Sequence, residues 1–172
     1  MLGKTTLFLI INMLSGVGYS LVSPLFPIFG KKENLSEGVL GWAIGLFSVA
    51  SCAFTTIVPI IGKKFSRIKL LSYATLFSGL ITIIYGFLIY LPNKTSLIVI
   101  IYFLRIFHGC CSSIISTLVY SLTITFAKKG KTQSSLGKLE VAWAVGVSSG
   151  PLIASVFIKL GDTLFLFLLL EF

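Results

Sequence analysis

Five apolar runs, each about as long as a bilayer is thick and each closed by a short polar loop, constrain this chain more than any other feature of it. A helix of about 20 apolar residues crosses the hydrocarbon core, and in lipid it must satisfy all its backbone polar groups within itself. The runs therefore read as membrane-spanning helices over about 5–29, 39–61, 70–91, 97–126 and 137–158, followed by a partial sixth stretch, 163–172. That last stretch is too short to cross. The expectation is an all-α membrane protein, one transmembrane bundle over 1–172, whose chain stops inside its sixth helix as a fragment would. Composition agrees: 56% of residues are hydrophobic and 11% charged, which excludes an ordinary soluble domain. The first run is span-length and lacks a cleavage site, so it does not read as a removable signal peptide.

The net charge of +9 is carried largely by short loops. Gly62 to Lys69 reads GKKFSRIK, and Ala127 to Ser135 holds Lys128, Lys129 and Lys131 without an acid. Basic loops stay on the cytoplasmic side, and two spans separate these, so they agree on a cytoplasmic N-terminus. The expected partner of such clusters is lipid phosphate, not nucleic acid. Sequons at Asn34 and Asn93 fall on the opposite side. Cys52, Cys110 and Cys111 lie in apolar runs as packing residues. With no metal-ligand spacing, nucleophile–base pair or phosphate loop, the sequence suggests no metal, no cofactor and no enzyme. It suggests a multi-pass integral membrane protein, with vesicular and plasma membrane both left open.

Polar residues inside the spans narrow the reading. Asn12, Ser15, Tyr19 and Ser23 share a face of the first span beside Gly16, either as interhelical hydrogen bonds or as a cavity wall. Pro24 and Pro27 loosen its far end. In the second span, Gly41, Gly45, Ser48, Cys52 and Thr55 read as a tight packing seam. Arg105 lies well inside the fourth run, where an unpaired charge costs several kcal/mol, so it needs a partner, a wet cavity or a path to the headgroups. His108, Gly109, Ser112, Ser116 and Tyr120 share its face. In the fifth span Ala142, Gly146, Gly150 and Ala154 recur every fourth residue and form a ridge of small side chains. Pro151 removes a donor there and crowds the carbonyl of Val147. Glu140 reads as a first-turn carboxylate near Lys138, favoured by the helix N-terminus, with a structural or a coupling role.

Three of these stretches resemble motifs of the major facilitator superfamily. Arg105 to Gly109, RIFHG, is similar to its fourth-helix signature, with His108 where glutamine is usual. Gly137, Gly146, Gly150 and Pro151 resemble its fifth-helix antiporter motif, with Ala154 and Ser155 in place of a closing glycine pair. Gly62 and Arg67 match its glycine-led loop between helices two and three, but Ser66 replaces the aspartate and Lys69 the second glycine. Tyr19 to Pro27, YSLVSPLFP, and Leu136 to Glu140, LGKLE, are similar to the vesicular amine and polyamine transporter branch. The resemblance implies the N-terminal six-helix half of a secondary active transporter that moves a small solute by alternating access, coupled to a proton or another ion. It ties Arg105 to substrate or coupling. His108, Ser112 and Ser116 would line a cavity with it, facing Asn12, Ser15 and Tyr19.

The implied partners are the bilayer, the solute, the coupling ion and either a C-terminal half or a second copy. The aspartate of monoamine members falls at Ser15, and no acid lies centrally in the first four spans to neutralise an organic cation. The alternative is an interaction protein or an inactive fragment, dimerising through the Ala142 to Ala154 ridge.

Overall fold

The computed structural model describes residues 4–32, 34–87 and 94–159. They form α1 (Lys4–Lys32), α2 (Glu37–Lys64), α3 (Arg67–Phe87), α4 (Lys94–Phe126) and α5 (Thr132–Lys159). Four of them, α2 to α5, are long and apolar enough to cross a membrane, while the apolar segment of α1 among the described residues is the shorter Thr5–Leu21. The sixth stretch, Asn93 and Asp162 lie outside the described residues.

Loop chemistry sets the ends. Phe65 adopts an extended backbone and its N–H bonds to the Ile61 carbonyl at 3.1 Å, closing α2. Ser66 then accepts the Leu70 N–H at 2.9 Å, so α3 starts almost at once. Between α4 and α5, Gly130 takes φ of 79°, a left-handed conformation that glycine adopts without a Cβ penalty, and Lys131 bonds back to Lys128 at 2.9 Å. α5 begins at Thr132, ahead of the expected start at Gly137. Thr132 to Leu136 is too polar for the apolar pattern to include, yet it coils readily, since periodicity marks where lipid contact begins and not where the helix does. This corrects the reading of Glu140, which lies in the third turn, away from the helix N-terminus.

Helices α1 and α5 form one extensive pair and α2 and α4 another, with α3 packed on α4. The two pairs are one crossing used twice. A Cβ added to Gly16 of α1 would lie 2.8 Å from the Trp143 carbonyl oxygen, 3.3 Å from Gly146 and 3.2 Å from the Val147 nitrogen of α5. A Cβ added to Gly109 of α4 would lie 2.5 Å from the Phe47 oxygen, 3.1 Å from Ala50 and 3.2 Å from the Ser51 nitrogen of α2. Phe47, Ala50 and Ser51 keep the spacing of Trp143, Gly146 and Val147. Asn12 and Ser15 precede Gly16 as Arg105 and His108 precede Gly109. One backbone spacing thus serves both helix crossings.

The α2 seam is corrected. Gly41 and Gly45 have nothing near the position of a Cβ, and Gly41, Ser48 and Cys52 are exposed. Ala43, Phe47, Ala50 and Ser51 face the core or α4 instead. Thr55, although exposed, reaches the Ser113 hydroxyl of α4 at 2.8 Å.

Two apolar clusters fasten the bundle. Phe8, Val58, Leu71, Leu118, Val119 and Leu139 bring all five helices together at the end with the basic loops. Ala43, Ile81, Tyr85, Leu97 and Ile101 join α2, α3 and α4 at the other end. Polar side chains of the spans lie between these clusters.

Candidate functional site

Arg105 is 5% exposed, well inside the apolar length of α4. Its guanidinium carbon lies 5.5 Å from the ring centre of Phe47 and 5.7 Å from that of Tyr85. Aromatic faces carry negative quadrupole density and hold a desolvated cation more strongly than an exposed one. His108 is buried one turn further along, with its ring centre 5.4 Å from Phe47 in an edge-on arrangement and 6.0 Å from Tyr85. Its buried Nδ1 has no hydrogen-bond partner among the described residues.

His108 borders a cavity of about 530 Å³ between α1, α3 and α4. Ser15, Gly18 and Tyr19 line it from α1, Ser112 from α4 and Phe47 from α2. The wall supplied by α3 includes Ser72, Thr75, Ser78 and Thr82. Ser72, Thr75 and Thr82 donate to carbonyls of their own helix at 3.0, 2.9 and 3.0 Å, leaving hydroxyl oxygens as acceptors. This volume falls within the range of small-molecule sites. Chemically it offers a largely apolar cleft with a few hydroxyls, an imidazole and, behind Phe47, a guanidinium.

The expected site residues separate into those that meet at the cavity and those that do not. Ser15, Tyr19, His108 and Ser112 meet there, with Arg105 in contact with the same Phe47. Asn12 is buried elsewhere: its amide donates to the Leu139 carbonyl of α5 at 2.8 Å, a tie between helices. Ser116 is exposed and bonds back to Ser113 at 3.1 Å. Glu140 accepts the Tyr120 hydroxyl of α4 at 2.7 Å.

Among the motif residues, Arg67 donates to the Ser121 hydroxyl at 3.3 Å and so ties α3 to α4. Gly62 lies 3.9 Å, measured from its would-be Cβ, from Leu118. Gly137 and Pro151 are exposed, and α5 continues through the proline. Gly146, Gly150 and Ala154 are buried, and the two glycines press on α1 at Met13 and Ser20. The ridge expected to dimerise is therefore spent inside the chain, because only glycine lets these two backbones meet.

Phe47, Tyr85 and the α3 hydroxyls were not legible as site residues in the sequence. For α3 a signal existed, since Ser72, Thr75, Ser78 and Thr82 recur at three- and four-residue steps in an apolar run. Phe47 and Tyr85 are ordinary span aromatics until the fold sets them on Arg105.

Comparison with known proteins accords with this architecture. The family profile of the Major Facilitator Superfamily matches residues 8–170. The human MFS-type transporter SLC18B1 is 27% identical over 145 residues, covering 82% of this chain and 31% of its own. The mouse protein of that name is 28% identical over 137 residues, covering 77% of this chain and 29% of its own. The chain thus spans about a third of the length of these relatives. Their identity accords with the branch that the first and fifth helices resemble. No solved structure matches. With a family match over nearly its whole length, the chain belongs to the major facilitator superfamily.

Proposed function

We propose that this chain forms the N-terminal half of a secondary active transporter that moves a small solute by alternating access, with a proton or another ion as the coupling partner. The relatives are named as transporters, and transport is the activity common to them. The observation that carries the reading is Arg105, a buried guanidinium inside the fourth span with His108 beside it on the cavity wall. A buried charge in a bundle is expensive and marks a substrate or ion path by default. In this reading Arg105 engages an electronegative group of the solute or of the coupling machinery. His108, Ser15, Tyr19 and Ser112 supply directional hydrogen bonds, and the cytoplasm holds the N-terminus.

Close packing at Gly16 joins α1 to α5 and at Gly109 joins α4 to α2, and the apolar cluster of Phe8, Val58, Leu71, Leu118 and Leu139 ties these pairs and α3 together, so that the bundle can rock against a second half. Dimerisation through the α5 ridge is not favoured, because that ridge packs on α1.

The test is Arg105→Ala in the full-length transporter. Solute accumulation in vesicles bearing the protein, followed by mass spectrometry, is expected to fall at least about tenfold, since a hydrogen bond to a charged group contributes about 1.5–3 kcal/mol. Insertion and yield should be retained. Flux equal to that of the unaltered protein would remove Arg105 from the mechanism.

A further inference from the structure

The hydroxyls around the cavity divide by what holds their protons. On α3, Ser72, Thr75 and Thr82 each donate to a carbonyl one turn back in their own helix. Their protons are committed, so these three offer the cleft lone pairs alone, and Ser78 is the exception on that wall. Ser15 and Tyr19 of α1 and Ser112 of α4 line the remaining sides, and their hydroxyls make no hydrogen bond among the described residues. Those protons are available to whatever enters. The α3 side therefore accepts, and the α1 and α4 sides can donate.

Charge has the same polarity. Neither a carboxylate nor a lysine lines the cavity. The Arg105 guanidinium stands 5.5 Å from the ring centre of Phe47, and Phe47 is itself part of the wall. A charge separated from the cleft by an apolar ring is weakly screened, so it favours an anion there and opposes a cation. His108 adds, on the α4 side, a buried Nδ1 without a hydrogen-bond partner among the described residues. A polar atom left in that state costs free energy until a ligand bonds to it.

Resting on the transport reading above, we propose that the solute is an organic monocarboxylate that also carries a neutral N–H or O–H donor. Its carboxylate lies against Ser15, Tyr19 and Ser112, and its donor against Thr75 and Thr82. Its apolar body runs along Leu14, Leu71 and Ile115 of the same cleft. An organic cation would meet a like charge and no acid. A dianion would set negative charge against the lone pairs of α3.

The experiment is equilibrium dialysis of the full chain in lipid nanodiscs, with empty nanodiscs as the blank for partition into lipid. Three phenyl-bearing probes are compared. N-acetylphenylalanine has both the carboxylate and the amide proton, N-acetyl-N-methylphenylalanine lacks the proton, and phenethylamine is a cation. The first should bind saturably, the second about 3- to 10-fold more weakly for the loss of one neutral hydrogen bond, and the third at least about tenfold more weakly. Ser112→Ala should weaken the first about tenfold, as expected for a bond to a charged acceptor. Thr75→Val/Thr82→Val should weaken the first probe and leave the second unchanged, a difference that misfolding would not produce. Phenethylamine bound as tightly as N-acetylphenylalanine, no saturable binding of the latter, or equal binding with and without the amide proton would overturn the proposal. Uptake into vesicles separates this from the transport reading. Binding of N-acetylphenylalanine without its uptake would support the ligand class and count against transport. Uptake of a cationic solute that is lost in Arg105→Ala would overturn the ligand class and leave transport standing.

Discussion

Gly109 and Gly137 are the same residue type in helices of the same bundle, yet their substitution by alanine should have opposite effects. A Cβ at Gly109 would lie 2.5 Å from the Phe47 carbonyl oxygen, and backbone cannot step aside as a flexible side chain can. Gly109→Ala must push α2 from α4, at the cost of about 1–3 kcal/mol typical of overpacking. At Gly137 nothing lies within 4 Å of the same position, so the Cβ meets open space. Gly137→Ala should stabilise α5 by up to about 1 kcal/mol, because alanine loses less backbone freedom on coiling. Thermal unfolding of the purified protein in detergent measures both; a neutral Gly109→Ala would mean that the two backbones do not meet there. The contrast was not visible in the sequence, where Gly137 looked like part of one motif with Gly146 and Gly150. Spacing identifies a repeated glycine but not which neighbour, if any, it touches.

At the scale of helices, the crossing of α1 with α5 and that of α4 with α2 rest on equivalent glycines but are fastened differently. Asn12 to the Leu139 carbonyl and Ser20 to the Gly146 carbonyl, at 2.8 and 3.5 Å, hold the first crossing. The hydroxyls of Thr55 and Ser113, 2.8 Å apart, and Tyr102 to the Val39 carbonyl at 3.2 Å hold the second. In lipid, where apolar burial does not draw helices together, close backbone contact and such bonds determine the pairing. Thr55→Cys with Ser113→Cys should therefore form a disulfide under mild oxidation once Cys52, Cys110 and Cys111 are replaced by alanine. Gel mobility reads the bond. Thr56→Cys with Ser113→Cys should stay reduced, since the Thr56 hydroxyl bonds to the Ala53 carbonyl of its own helix. Equal cross-linking in both pairs would contradict the pairing of α2 with α4. The helices themselves were legible from apolar length, and Arg105 from a charge out of place. The pairing was not, because the α2 seam of Gly41, Gly45 and Ser48 has the same small-residue pattern as the face of α5 that does pack. Two helices with equal signals differ only in which one finds a neighbour.

For the molecule as a whole, the arrangement of charge predicts an orientation. The loops between α2 and α3 and between α4 and α5 lie at one end with the start of α1, while Asn34 to Ser36 lies at the other. Lys63, Lys64, Arg67 and Lys69 cluster in the first loop and Lys128, Lys129 and Lys131 in the second, so both press for the same side. Their combined bias exceeds what lies opposite, where among the described residues Lys31 and Lys32 end α1, Lys94 opens α4 and Lys159 ends α5. Translocating either basic loop would require moving several charges through the hydrocarbon, and the positive-inside rule expresses that asymmetry. Ser36 and Lys129 are both exposed, which makes them reporters of the two ends. In intact cells expressing a variant free of native cysteines, Ser36→Cys should react with a membrane-impermeant maleimide. Lys129→Cys should react only after the membrane is opened. In sealed vesicles of inverted orientation the pattern should reverse. Labelling of Lys129→Cys from outside intact cells, with Ser36→Cys protected, would place the N-terminus outside and overturn the orientation expected from the basic loops.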